Sequence, residues 1–311
     1  MDELIKIIGS LISIAAGVTG LFIKVIPWIR KKQDQYSLEK RFGAELYSKS
    51  EIENALKYYI EPYCQTLDPS GGEEPRHILG TKQNIFDVLD EALTHTSEYR
   101  YIILLADSGM GKTTFLLNYY VRHLKLRRNK FKIEVIPLGI PDVEDRIEKI
   151  QNHKDTVLFL DAFDEDTKAY NNHKQRLDDL VKLTRNFNRV LITCRTQFFS
   201  KDEEIPQETG IVIIGPRPAG TKAQHVFHKL YLSPFTDEQI RAYLKNRYSL
   251  LHIKIRKKAY NYVKKIHHLC VRPMLLAYLP NLLDIKRKIF YSYELYEEMI
   301  EAWLIREEGI I

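Results

Sequence analysis

One stretch constrains this chain more than any other. Tyr101–Ala106 (YIILLA) is six apolar residues in a row, and Asp107-Ser-Gly-Met-Gly-Lys-Thr-Thr114 follows at once, leading into Phe115, Leu116 and Leu117. A short apolar run of this kind is buried on both faces in a parallel sheet. The glycine-containing turn between strand and helix matches GxxxxGK[ST], with Ala106 at the first glycine position, where a small residue closing the strand suffices. Gly109 and Gly111 serve the tight curve, so that successive N–H groups of Asp107, Ser108, Gly109, Met110 and Gly111 converge on a phosphate. The helix beginning near Lys112 adds the positive end of its dipole. Lys112 is placed for the β- and γ-phosphates, the Thr113 hydroxyl for Mg²⁺, and Thr114 completes the cradle.

A second stretch complements the first. Leu158-Phe-Leu-Asp161-Ala-Phe-Asp164-Glu165 runs from buried-type residues into acids. A carboxylate at the tip of a core strand costs desolvation energy unless a cation or hydrogen bonds satisfy it. Asp161 is therefore expected to hold Mg²⁺ through its waters. Glu165 is the first choice to polarise water against a γ-phosphate, with Asp164 the alternative base or a group behind the metal. Arg189–Cys194 (RVLITC) is a further strand, and parallel neighbours deliver their tips to one edge, so Arg195 can reach the γ-phosphate. The other reading of Arg195 is a salt bridge to an acid of the site.

Around these motifs the pattern is strand, helix, strand (132–140), strand (156–163), helix (174–187), strand, which means an α/β domain with a mostly parallel sheet and helices on both faces. From Thr236 it turns helical. Thr236-Asp-Glu-Gln239 is a capping box, with Phe235 and Ile240 spaced as a staple. The face made by Ile240, Tyr243 and Leu244 is expected to lie as a lid on the nucleotide edge. Leu295, Met299 and Trp303 make a later amphipathic stripe, read as core.

The N-terminus differs. Ile7–Ile23 is 17 residues without a charge, and if Lys24 snorkels the span continues to Ile29, about 35 Å as a helix and enough for a bilayer. Trp28 and then Arg30, Lys31 and Lys32 flank it, so the expectation is a single-pass anchor with the N-terminus outside and all that follows cytoplasmic. The acidic start, Asp2 and Glu3, argues against a signal peptide. A buried and an interfacial helix are the remaining alternatives. The expected organisation is an anchor at 1–32, a polar helical spacer at 33–98, a nucleotide-binding core at 99–235 and a helical subdomain at 236–311. Within the spacer, Asn84 starts a short helix whose Ile85, Val88, Leu89 and Leu93 share a face.

Forty-seven Lys+Arg against 41 Asp+Glu leave a mild +6, too small a surplus to argue nucleic acid. Basic runs at Arg122–Lys132, Lys254–Lys265 and Lys286–Lys288 read as solvated faces. Three cysteines form no close pair, which excludes a disulfide framework, and ten histidines show no metal-like grouping.

Taken together, DSGMGKTT (107–114), LFLDAFDE (158–165), LITCRT (191–196), HKLYLSPFTDEQIRAYL (228–244) and LYEEMIEAWLIREE (295–308) resemble the NACHT family of STAND P-loop NTPases, over roughly residues 99–308. The resemblance implies a P-loop NTPase sheet followed by a helical subdomain. It also implies an ATPase switch, ADP-bound at rest and homo-oligomeric with ATP, often in signalling or antiviral defence. It further implies that Pro273, in VRPMLL (271–276), touches adenine. Members usually continue into a sensor array, so a missing C-terminal sensor or a separate sensor partner is expected. A scaffold that binds ATP or ADP without turnover is the competing reading. Guanine specificity lacks its N/TKxD motif.

Overall fold

The computed structural model describes residues 29–30, 32–42, 45–66, 68–69, 82–93, 99–126, 131–198, 211–214, 225–248, 252–284, 293–294 and 297 of the 311. It divides into a unit of residues 1–57 and a unit of residues 58–311. In the first, helix α1 (Lys49–Leu56) is capped by Ser48, whose hydroxyl accepts from the Glu51 N–H while the Glu51 side chain returns to the Ser48 N–H. Leu38, Phe42, Tyr47, Ile52 and Ala55 are buried. Of the apolar run 7–29, all but Ile29 lies outside the described residues. Among the described residues, no helix is long and apolar enough to cross a membrane.

The second unit is built on eight strands: β1 (Tyr63–Gln65), β2 (Gln83–Asn84), β3 (Tyr101–Ala106), β4 (Lys132–Pro137), β5 (Thr156–Asp161), β6 (Arg189–Arg195), β7 (Ile211–Ile214) and β8 (His225–Leu232). Their order is β2-β1-β8-β3-β6-β5-β4, with β7 also on β8. The five strands from β8 to β4 are parallel, and β1, β2 and β7 add antiparallel edges. The stretch read as a helical spacer thus also contributes β1 and β2, too short for any alternation to show. β8 was not foreseen as a strand either, because His228 and Lys229 interrupt its apolar residues. Lys229 is nonetheless buried, its ammonium 5.3 Å from the Tyr231 ring centroid.

Strand alternation assigns the two faces. Ile103 and Leu105, Leu158 and Leu160, and Val190, Ile192 and Cys194 pack with Val143 and Ile147 of α4 (Val143–Lys149) and with Leu177, Leu180 and Val181 of α5 (Thr167–Thr184). On the opposite face Phe159 meets Tyr119 of α3 (Lys112–Leu124) at 5.8 Å between ring centroids. Phe115 of α3 meets Phe86 of α2 (Ile85–Ala92), itself capped by Asn84. Both faces are therefore covered. This parity also decides where the acids go: Asp161 shares the α3 face with Phe159.

The C-terminal helices are α6 (Asp237–Arg247), α7 (Ile253–Lys265), α8 (His267–Cys270), α9 (Pro273–Ala277) and α10 (Leu279–Asp284). The Thr236–Gln239 capping box forms. Ile240, Tyr243 and Leu244 do not lie over the sheet edge as a lid. They pack with Ala259, Val263, Cys270, Leu276 and Leu279 in a second core of their own, because the remaining helices offer more apolar surface than the polar sheet edge does. The 295–303 stripe lies outside the described residues, apart from Glu297.

Candidate functional site

β3 is buried along its whole length and ends at Ala106. The chain then turns, with the Met110 N–H on the Asp107 carbonyl at 3.3 Å, through two glycines in the left-handed region: Gly109 at φ 76° and Gly111 at φ 87°. Only glycine adopts these angles without strain. Gly111 is the N-cap of α3 and offers no side-chain acceptor, so no cap oxygen covers the first amides of this 13-residue helix. Those amides and the helix dipole face the loop, an arrangement suited to a phosphate. Lys112 Nζ donates to the Ala106 carbonyl at 3.2 Å. Burial, opposed by the nearby Asp164 carboxylate, lowers the pKa of this lysine. A desolvated cation over bare amides is a site for a strong anion. Ser108 is exposed beside it, and the Thr114 carbonyl accepts from Asn118 Nδ2 at 2.8 Å.

Asp161 reaches the same point from the next strand but one. Its Oδ2 accepts from Thr113 Oγ1 at 2.7 Å, and its Oδ1 accepts from Thr193 Oγ1 at 2.6 Å; it is 2% exposed. The Thr193 hydroxyl in turn accepts from the Ala162 N–H at 2.8 Å. β6 lies between β3 and β5, so Thr193 supplies the lateral support. A threonine hydroxyl and a carboxylate oxygen together below a phosphate loop are the hard oxygen donors Mg²⁺ takes in combination with phosphate. The residues present therefore fit both a nucleotide phosphate and its metal.

Beyond Asp161 the chain turns at Ala162, a non-glycine residue at φ 60°, into a short 3-10 turn, Phe163–Glu165. This turn parts the two acids. Asp164 is held by Arg195 twice, from Nε to Oδ2 at 2.6 Å and from the backbone N–H to Oδ1 at 3.0 Å, and its side chain is 6% exposed. Arg195 thus takes the salt-bridge arrangement, while half of its own side chain remains open to solvent. Glu165 is exposed overall. Its Oε2 nevertheless lies 3.8 Å from where a Cβ on Gly139 would sit. Desolvation of this carboxyl, followed by repulsion from Asp164 and Asp161, raises its pKa above the usual glutamate range.

Pro273 is placed at the first turn of α9, where its fixed φ suits a helix start. The segment around it touches the phosphate loop in a way the sequence did not signal. The Met274 N–H donates to the Gly109 carbonyl at 3.1 Å, and the Met274 side chain lies over Gly109. Arg272 Nη2 approaches Asp107 Oδ2 at 3.5 Å. A small cleft opens beside this contact, lined by Asp107, Met110, Leu232, Pro234, Val271 and Arg272 among others. Pro273 is not among its lining residues; its two predecessors are.

Five parallel strands with a glycine loop at the tip of β3, helix α3 behind it and a carboxylate on β5 define a P-loop NTPase fold with a nucleotide-binding loop. Consistent with that class, residues 86–211 match the model of the family described as Novel STAND NTPase 3. The match takes in β3, the phosphate loop, Asp161–Glu165 and Arg195. Among solved structures, the chain overlaps the Thermotoga maritima RuvB Holliday junction branch migration motor at 13% identity and a TM-score of 0.35, covering 70% of this chain and 74% of that one. A single-residue variant of the same RuvB overlaps at 12% identity with the same coverages and TM-score. No curated protein matches the sequence.

Proposed function

We propose that this chain is a membrane-tethered switch of the NACHT kind that binds ATP with Mg²⁺, hydrolyses it slowly, and forms homo-oligomers in the ATP state, in signalling or antiviral defence. The observation that carries the nucleotide part is the 2.7 Å contact between Thr113 Oγ1 and Asp161 Oδ2 beneath the uncapped start of α3. Lys112, the loop amides and Thr113 would hold the triphosphate, with Thr113 and Asp161 at the metal. When bound, Mg²⁺ would neutralise charge that develops on the phosphate oxygens.

In this reading the chain divides the remaining work. Asp164 is a positioning residue that fixes Arg195 along the sheet edge. Arg195 would help neutralise the γ-phosphate and Glu165 would orient the attacking water, its raised pKa bringing it closer to working pH. Met110, Leu232, Pro234 and Val271 would offer apolar contacts to the base. Tethering through residues 7–29 is supported by the 17 uncharged residues of Ile7–Ile23 and by the basic flank Arg30, Lys31 and Lys32. The use of a sensor, on a separate chain or on a longer form of this one, rests on the sequence resemblance alone.

The test is calorimetry of the full chain with ADP and ATP in the presence of Mg²⁺, followed by single-turnover hydrolysis. Binding with turnover supports the switch, and binding without turnover supports the scaffold reading. No heat with either nucleotide overturns both. Competition between ADP and GDP settles the base, and resistance to carbonate extraction tests the anchor.

A further inference from the structure

Three acids stand in a row at the turn after β5: Asp164, Glu165 and Asp166. The outer two are held. Asp164 is bound by Arg195, and Asp166 is bound by a second arginine that the nucleotide site does not otherwise use. Arg176 Nε donates to Asp166 Oδ2 at 2.6 Å, and the two side chains are only 5% and 4% exposed. The other Asp166 oxygen, Oδ1, accepts from the Lys168 N–H at 2.9 Å, which makes Asp166 the N-cap of α5. Between them, the Glu165 carboxylate takes part in no hydrogen bond or ion pair among the described residues.

Arg176 comes from beyond a break in its helix. α5 is interrupted at Asn172 (φ −156°, ψ 89°), and Asn172 Oδ1 accepts from the Gln175 N–H at 3.1 Å to cap a fresh start. Only residues 167–171 of α5 precede the break, too few to keep a helical turn in place by themselves. Arg176 lies after it and reaches back across. Its Nη1 donates to Glu144 Oε1, and Lys168 Nζ donates to the same oxygen at 2.6 Å. Glu144 belongs to α4, the helix that follows β4 and Gly139, and a Cβ on Gly139 would lie 3.6 Å from the Glu165 Cβ. One guanidinium therefore ties together the body of α5, the residue after Glu165, and the helix that follows the loop beside Glu165.

Burial makes this tie consequential. A carboxylate as enclosed as Asp166 is tolerated only while its cation stays paired with it. Without the guanidinium Asp166 must turn out to water, and Glu165, its neighbour in the chain, moves with it. We propose that Arg176 is a positioning residue of the hydrolytic site: through Asp166 and Glu144 it fixes where the Glu165 carboxylate stands relative to the γ-phosphate. This rests on the reading of Glu165 as the group that orients water. An ion pair that served the fold alone would lower stability whatever stood at position 165. A positioning pair lowers the rate only while Glu165 is there to be positioned.

The experiment is a double-mutant cycle on the full chain, with ATP affinity from calorimetry and the rate from single-turnover hydrolysis. Arg176→Gln is expected to leave affinity within severalfold and to slow hydrolysis roughly 10- to 100-fold, the scale of a misplaced reacting group. In a Glu165→Gln background the same substitution should change the remaining rate by less than about twofold, because the two residues act as one unit. Arg176→Lys keeps a cation against Asp166 but has no fork to reach Glu144 as well, so its rate should lie between wild type and Arg176→Gln. It also carries the cycle if Arg176→Gln does not fold. Equal fractional losses with and without Glu165 overturn the proposal, and so does a fall in ATP affinity that matches the fall in rate. Wild-type hydrolysis by Arg176→Gln, with Glu165→Gln slow, overturns the proposal alone. A Glu165→Gln variant as fast as wild type, or a wild type that binds without turnover, overturns the reading of Glu165 and this proposal together.

Discussion

Two strand ends of the same sheet build opposite kinds of site. At the end of β3 the chain turns through Gly109 and Gly111, and what it offers is main chain: bare amides at the start of α3. At the end of β5 it turns through Ala162, also left-handed, and what it offers is side chains: Asp161 on Thr113 and Thr193, and Asp164 on Arg195. The first needs glycine because any Cβ strains the loop that must close around an anion. The second tolerates alanine because hydrogen bonds from neighbouring strands hold the turn, including the Ala162 N–H on Thr193. Under the proposed function, backbone would make the anion site, and side chains the cation and proton-transfer site.

If that division is right, Lys112→Ala should remove nucleotide binding, with affinity weaker by roughly a hundredfold or more in calorimetry. Near-normal affinity would mean that the amides alone suffice. Glu165→Gln should leave affinity within severalfold and slow single-turnover hydrolysis by about 10²-fold. Its pH profile sharpens the test. A base must be ionised, and the Glu165 pKa is raised, so wild-type turnover should fall on the acid side at a pH above the ordinary glutamate value of about 4.3. The Gln variant should lack that limb. If the limb survives in Glu165→Gln and vanishes in Asp164→Asn, the roles of the two acids are reversed.

Smaller effects probe the turns themselves. Gly109→Ala places a Cβ 2.9 Å from that of Met274 at φ 76°, and should destabilise the protein by about 2–3 kcal/mol in denaturant melts. Gly111→Ala meets nothing closer than 3.8 Å and should cost only the backbone strain, about 1–2 kcal/mol. Equal losses would show that the Met274 contact carries no weight. Ala162→Gly relieves strain but adds chain entropy, and should change stability by no more than about 1 kcal/mol, in the stabilising direction.

Much of this was legible. The runs at 101–106, 156–161 and 189–195 are apolar because each strand is buried on both faces, and that leaves a clear mark in any sequence. The loop residues were legible because left-handed angles demand glycine. β8 was not, since its buried Lys229 is stabilised by the Tyr231 ring, a relation that exists only after folding. Nor was the partner of Arg195. An arginine at a strand tip is compatible with a phosphate or an acid, and only the left-handed turn at Ala162 brings Asp164 within 2.6 Å of it. The position of Ile240, Tyr243 and Leu244 was misread for a similar reason: an amphipathic face shows that it will be buried, but not against what.

The amino-acid order alone thus determined the phosphate loop, the acidic strand end and the parallel strands that carry them, because local backbone angles and burial on both faces restrict which residues can stand there. Tertiary structure decided how the acids divide between Arg195 and solvent, and how residues 271–274 approach Gly109 and Asp107. Those outcomes depend on which side chains from distant parts of the chain arrive within a few ångströms of each other, and strand order and helix packing settle that.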